Sequence, residues 1–373
     1  AIIGEAELPL PQFIQAFKGK REFAGIKSIA YRPSADEVSI ESTRQAIPDL
    51  NILPFQPLHY LKNHLYSNIL TRKKNFTAML SARGCPYRCT FCDQKVPVFR
   101  RRTSDNFVQE VIRNYNEYGI REFDVYDSTF TAHRKRVVEI CDKLADAGLD
   151  IGWTIRTRVD SVNERVIDAL KRGGVHTIFY GIESSNPELL KSMKKDISVE
   201  KMERTLAYTK NVGIDNLGYF LFGFPGETRK TIQETIDFSL SQPFDYAQFS
   251  TLVPMPETEI YDYYRNRGMD DYWSNATLHP ESNQSITLID VELTREETEK
   301  LSDSANRKFY LRPKIIWKQF LYIRSFEHFR RIFNGALLIV RSSFLNTVRW
   351  TGLLGMSADR NKWFRRGQGS EAN

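Results

Sequence analysis

The chain has 373 residues, a net charge of +7, 41% hydrophobic residues and 27% charged residues. That length suits two domains, or one α/β barrel of about 200–250 residues with extensions, and the balance is that of an ordinary globular protein. The longest apolar runs, such as residues 335–340, fall far short of the roughly 20 residues that span a bilayer. The start lacks the basic and apolar stretches of a signal peptide, so the reading is a cytoplasmic protein with no transmembrane segment. The positive excess is concentrated at 71–74, at 100–102 and in the last sixty residues. Such runs read as solvated surface, and no nucleic acid is expected as a partner. Of only four cysteines, three fall within eight residues. That excludes a disulfide framework and points to metal binding in a reducing compartment.

Residues 1–75 form the first region. Ile2-Ile-Gly-Glu-Ala-Glu7 opens as though inside a domain, a helix-like stretch runs from Leu10 to Phe17, and residues 26–31 have strand character. A proline-bearing connection through Pro48, Pro54 and Pro57 completes a remnant plus linker. From 76 to 255 the pattern becomes strand, loop, helix, repeated. Strands are predicted at 76–81, 122–126, 151–155, 176–180, 217–222 and 246–252, each short, apolar and rich in β-branched or aromatic residues, as strands buried on both faces should be. Helices are predicted from Ser104-Asp105 to Gly119, from Arg134 to Gly148, from a capping box at Ser161-Val-Asn-Glu164 to Gly173-Gly174, and from Ser198 to Gly213. Six such units make a parallel sheet curved like an incomplete barrel. Residues 256–373 read as a helical C-terminal extension, with helices at 257–267 and 294–310, a basic stretch at 313–349 and a frayed tail at 367–373. Its aromatics Phe309, Tyr310, Trp317, Phe320 and Tyr322 read as core, with contact to a large apolar substrate as the alternative.

In parallel α/β folds ligands bind at the carboxyl ends of the strands. The unusual residues collect there: the cysteines, then Asp127-Ser128, Arg156 and Arg158, Glu183-Ser184, and Gly223-Phe-Pro-Gly-Glu227. The cysteine segment reads Arg83-Gly-Cys85-Pro-Tyr-Arg-Cys89-Thr-Phe-Cys92-Asp. Three thiolates from one loop can converge on one inorganic site. A structural zinc site wants four ligands and a ferredoxin cluster four cysteines. Cys141 lies some fifty residues on, at helical spacing with Val137 and Leu144, so it reads as core. Three ligands on a four-iron cluster leave one iron open, the mark of a catalytic site.

The C-x3-C-x2-C spacing, with an aromatic before the last cysteine, resembles the signature of the radical S-adenosylmethionine (SAM) superfamily. The resemblance implies a partial (β/α)6 TIM-like barrel and a [4Fe–4S] cluster on Cys85, Cys89 and Cys92. It implies SAM chelated by the open iron and cleaved to a 5′-deoxyadenosyl radical, with electrons from a reductant such as flavodoxin or ferredoxin. It further implies that Phe91 contacts adenine and that Asp127 and Ser128 receive the methionine ammonium, the alternative for Asp127 being a helix N-cap. Arg156 and Arg158 would meet a carboxylate, with pairing to Asp160 as the alternative. Glu183 would bond the ribose, or else be structural, and Gly223 and Gly226 would let the backbone approach the adenine. Within the superfamily the chain resembles the cobalamin-binding branch of anaerobic Mg-protoporphyrin cyclases and radical C-methyltransferases. That likeness rests on residues 3–7, 47–54, 127–131, 158–160, 222–228, 253–258 and 308–313. The chain departs from that branch in two ways: it has no Asp-x-His-x-x-Gly motif, so bound cobalamin is not expected, and Glu257 stands where the family has glycine. His59 and His64, the nearest candidate replacement ligands, read as surface or packing residues. The substrate reads as a small-molecule or lipid-like organic compound. A tRNA methylthiotransferase-like enzyme and a non-catalytic iron–sulfur or zinc protein are the alternatives.

Overall fold

The computed structural model describes residues 1–34, 37–41, 45–68, 70–94, 98–270, 272–278 and 285–321. Helix α1 (Pro9–Lys18) leads into a hairpin of β1 (Ile29–Ser34) and β2 (Glu37–Glu41), followed by short 3-10 turns. Then come β3 (Phe76–Met79), β4 (Ala82–Arg83), β5 (Arg100–Arg101), α2 (Ser104–Tyr118), β6 (Glu122–Val125), α3 (Arg134–Asp146) and β7 (Gly152–Arg158). After these lie α4 (Glu164–Arg172), β8 (Val175–Glu183), α5 (Pro187–Ser192), α6 (Val199–Asn211), β9 (Asp215–Phe222), α7 (Arg229–Ser241) and β10 (Tyr246–Thr251). The last elements are α8 (Glu259–Arg265), α9 (Tyr272–Leu278), α10 (Arg295–Tyr310) and α11 (Pro313–Leu321). Residues 1–298 form one compact unit, and a second begins at Glu299.

Six strands form one parallel sheet in the order β10-β9-β8-β7-β6-β3. The strands come in sequence order with β10 and β3 left as edges, so the sheet is an open barrel rather than a closed one. Buried apolar side chains on both faces drive this arrangement: Phe123, Val125, Trp153, Ile155, Ile178 and Phe220 are almost fully enclosed. Cys141 joins that core beside Val137 and Leu144, and a Cβ at Gly173 would meet its sulfur. Burial pushes its thiol well above the usual range.

The helix ends follow the local chemistry. Thr103 caps α2 by accepting from the Asn106 N–H, and Gly119 takes the left-handed conformation that ends it. Ser198 caps α6, and Thr228 with Thr231 forms a capping box on α7. The capping box expected at Ser161 is not there. Asn163 is the N-cap of α4, and the Ser161 hydroxyl instead joins Thr131, Thr157 and the Arg158 carbonyl. Residues 1–75 contribute α1, the hairpin and the turns of the linker, and Ile2 bridges Ile29. His59 and His64 lie exposed in those turns. Of the C-terminal aromatics, Phe309 is buried and Trp317 exposed. The Phe320 side chain, Tyr322, and the basic stretch and tail beyond lie outside the described residues. Glu257, where the family glycine was expected, has φ +66°, a conformation that costs a non-glycine residue about 1 kcal/mol.

Candidate active site at the carboxyl ends of the strands

The cysteine loop leaves β4, which pairs through Ala82 and Arg83 with Arg101 and Arg100 of β5. Gly84, at φ +81°, starts the turn. The loop is tied down by its backbone: Thr90 N–H donates to the Met193 carbonyl, and the Ile260 N–H donates to the Thr90 carbonyl. These bonds anchor it to the ends of α5 and α8. Cys85, Cys89 and Cys92 are unpaired, half-buried thiols that line a cavity of about 210 Å³. Each sulfur has a polar neighbour. Cys85 Sγ lies 3.3 Å from the Thr129 hydroxyl, Cys89 Sγ accepts from Arg158 Nη1 at 3.3 Å, and Cys92 Sγ accepts from the Gln94 N–H at 3.4 Å. Burial pushes the Cys92 thiol up to about 11 and the Cys89 thiol above its usual range, although Lys195 and Arg158 pull the latter down. Metal ligation therefore has to displace a proton from a desolvated thiol, which couples loading to pH.

The same cavity is also lined by charged side chains. A bulge between Gly181 and Glu183 re-aims the end of β8, and Glu183 sits at φ +68°. That strain is typical of a functional position. Its carboxylate accepts from Lys195 Nζ at 2.7 Å, with only 3% of the lysine side chain and 13% of the glutamate exposed. A desolvated ion pair adds little stability against an apolar replacement, so its place beside a cavity needs another reason. Arg158 Nε and Nη2 donate to Asp160 at 3.0 and 2.9 Å, and Nη2 also donates to the Lys195 carbonyl at 2.5 Å. Its guanidinium lies 4.1 Å from the Tyr87 ring centre. Arg158 thus fastens β7 to the lysine turn and still reaches a cysteine sulfur.

Phe91, Ser128, Arg156, Arg158 and Glu183 line the cavity with the three cysteines. Arg156 is committed to Asp124 through two nitrogens, at 2.5 and 3.3 Å, and lies against the rings of Tyr126 and Phe179. Its partner is therefore Asp124, while the pairing with Asp160 falls to Arg158. Asp127 corrects the expectation. It is 1% exposed, and its carboxylate accepts from the Ser81 N–H and hydroxyl and from the Ala82 N–H. It is neither a cavity wall nor a helix cap; it braces the turn into β4, and His133 caps α3 instead. Gly223 and Gly226 are not among the residues that line this cavity. Both have positive φ, but Gly226 lines a separate cavity with Thr90 and Tyr263, and a Cβ at Gly223 would strike Leu288.

Several cavity residues escaped the sequence reading, among them Lys195, Thr129 and Tyr219. Lys195 sits in a Lys-Lys pair that resembles solvated surface. Only the left-handed backbone at Lys194 and Asp196 tucks it inward. Thr129, in the loop after β6, and Tyr219, within β9, carry no signal of their own.

The donor chemistry fits a multi-iron cluster. Three soft thiolates spaced around a cavity suit a cluster that presents several irons.

Residues 79–239 match the family model for the radical SAM superfamily. An uncharacterized methyltransferase of Pyrococcus horikoshii is 33% identical over 343 residues, covering 90% of this chain and 71% of that protein. The anaerobic magnesium-protoporphyrin IX monomethyl ester cyclase of Rubrivivax gelatinosus is 27% identical over 229 residues, covering 60% of this chain and 40% of the cyclase. Among solved structures, the radical SAM methyltransferase TsrM of Kitasatospora setae, with cobalamin and a [4Fe–4S] cluster bound, superposes with a TM-score of 0.56 at 19% identity. That alignment covers 71% of this chain and 53% of TsrM, and it speaks for the fold. The chain belongs to the radical SAM superfamily, whose cofactors are a [4Fe–4S] cluster and SAM. It spans less than half of the cyclase and about half of TsrM. No described helix is long and apolar enough to cross a membrane.

Proposed function

We propose that Cys85, Cys89 and Cys92 hold the [4Fe–4S] cluster, and that the chain carries out radical chemistry on a small organic substrate, as a C-methylation or an oxidative cyclisation. The observation that carries this reading is that three unpaired thiols line one cavity together with Arg158, Glu183 and Lys195. When bound, the cluster supplies one electron to SAM, whose bond from sulfur to the 5′ carbon breaks to release methionine and the 5′-deoxyadenosyl radical.

The chain's own residues do the positioning. Lys195 and Arg158 offer cations to the SAM carboxylate, and the Glu183 carboxylate can accept from ribose hydroxyls. Phe91 offers a flat apolar face to the adenine. Arg158, with one nitrogen on Cys89, also stabilises the thiolate form there. Named methyltransferase and cyclase relatives support the choice of reactions. The electron would come from a small reductant protein such as flavodoxin or ferredoxin in the cytoplasm. Residues 76–255 would act as the catalytic core, with 1–75 and 256–373 as flanking regions.

Electron paramagnetic resonance of the reduced chain tests the reading. A signal that shifts on adding SAM, with 5′-deoxyadenosine as product, is expected. A signal indifferent to SAM would leave an electron-transfer module instead.

A further inference from the structure

The loop that carries all three cysteines is closed by very little ladder. Strands β4 and β5 pair over two residues each, Ala82 with Arg101 and Arg83 with Arg100, and residues 84–99 lie between them. So short a pairing contributes little by itself, and closing a loop of that length costs entropy. Both closing arginines are gripped from outside the barrel core. Glu5 accepts from both terminal nitrogens of Arg100, through Nη1 at 3.0 Å, and from Arg83 Nη1 at 3.2 Å. One carboxylate therefore bridges the two strands. Glu7 takes the other Arg83 nitrogen.

The linker joins the same knot: Arg100 Nη1 donates to the Ile47 carbonyl at 2.6 Å, and the Ile47 N–H donates to Glu5 at 3.3 Å. Residues 1–3 are held in turn by β1 and the residue before it, with Ile3 N–H on the Ser28 carbonyl and Ala30 N–H on the Ala1 carbonyl. The Arg100 side chain is 8% exposed and that of Glu5 20%, so water screens this network less than it screens a surface pair.

We infer that Glu5 and Glu7 are positioning residues: they latch the cysteine loop shut at its base and so fix the spacing of the three thiols. The inference builds on the cluster assignment above but concerns residues that touch neither cluster nor substrate. Arg100 meets Glu5 through both terminal nitrogens, and Arg83 divides its two between Glu5 and Glu7, a geometry that sets direction as well as distance and that lysine could not reproduce.

The test is amide hydrogen exchange on the full iron-free chain. Glu5→Gln should speed exchange in residues 84–94 about tenfold, the size expected for losing charge-assisted hydrogen bonds, with β6 to β9 unchanged. Glu7→Gln should act at the same place more weakly. After reconstitution, Glu5→Gln should lose cluster iron on gel filtration several-fold faster than wild type, and Glu7→Arg combined with Arg83→Glu should recover part of the loop protection lost in Arg83→Glu alone. Unchanged loop exchange in Glu5→Gln would overturn the latch. So would a rise spread equally over β6 to β9, because that marks general destabilisation. Exchange is read without iron, so failure of the cluster assignment shows separately, as a wild-type chain that takes up none.

Discussion

The two ends of the barrel are both rich in charge, and they use it differently. At the amino ends of the strands, ionisable groups are consumed by one another. Glu122 meets His176 at 2.7 Å, and Asp215 takes Arg72 at 2.6 Å and Lys210 at 3.0 Å. Lys210 also reaches Asp245, whose other oxygen accepts from the Asn216 N–H. Burial holds His176 below its ordinary range, so it is neutral at pH 7 and simply hydrogen-bonded. At the carboxyl ends, three thiols line a cavity together with a desolvated lysine and glutamate. Each end has residues whose removal should hurt. One end closes the scaffold and the other keeps groups facing open space, which is where chemistry can enter.

The strongest way to break that contrast is to remove a thiol. Cys85→Ala, Cys89→Ala and Cys92→Ala should each abolish the iron–sulfur chromophore and SAM cleavage, while Cys141→Ala keeps both. Full iron content in the Cys89 variant would reassign the ligands.

Next, Glu183→Ala should weaken SAM binding roughly ten- to hundredfold by calorimetry at normal iron content, as loss of a charged acceptor costs about 1.5–3 kcal/mol. Unchanged affinity would move Glu183, with its strained backbone, to the scaffold side of the comparison.

At the other end, Asp215→Asn should lower stability by about 1–3 kcal/mol, because Arg72 and Lys210 lose a buried charge between them. Urea denaturation measures the loss, and iron content after reconstitution should match wild type. A selective loss of cluster would mean that the ends are coupled.

The last prediction concerns pH. Glu227 is 1% exposed with one oxygen lacking a hydrogen-bond partner, and burial pushes its carboxyl up to about 8. Between its unfolded value, near 4.5, and 8, the native chain holds a proton that the unfolded chain has released. Its contribution is therefore fully present below about 4.5 and is lost as pH rises towards 8, by at most about 1.4 kcal/mol per unit. Glu227→Gln should flatten that decline in urea midpoints taken at pH 5 and pH 8. An identical decline in the variant would place the pH dependence elsewhere.

Short-range chemistry was legible from the start. The six strands, most helix ends and the core role of Cys141 follow from local apolar patterns and turn residues, and the cysteine spacing, coming after a strand and before repeated strand–helix units, points to the candidate site. The capping box at Ser161 misled because two hydroxyls from other elements compete for that serine, and no local pattern reports a competitor. Asp127 misled for the same reason: a carboxylate after a strand can face the mouth or fold back on the neighbouring turn, and only the position of Ser81 decides.

The sequence by itself determined which thiols share a loop and that strand ends would gather around them, since both are set within a few residues. Only the tertiary structure decided that Lys195 turns inward to Glu183, that Asp124 claims Arg156, and that Glu5 and Glu7 grip Arg83 and Arg100. Those partners lie 12 to 95 residues apart or on neighbouring strands. Opposite charges choose each other only after packing has brought them within a few ångströms and removed the water between them.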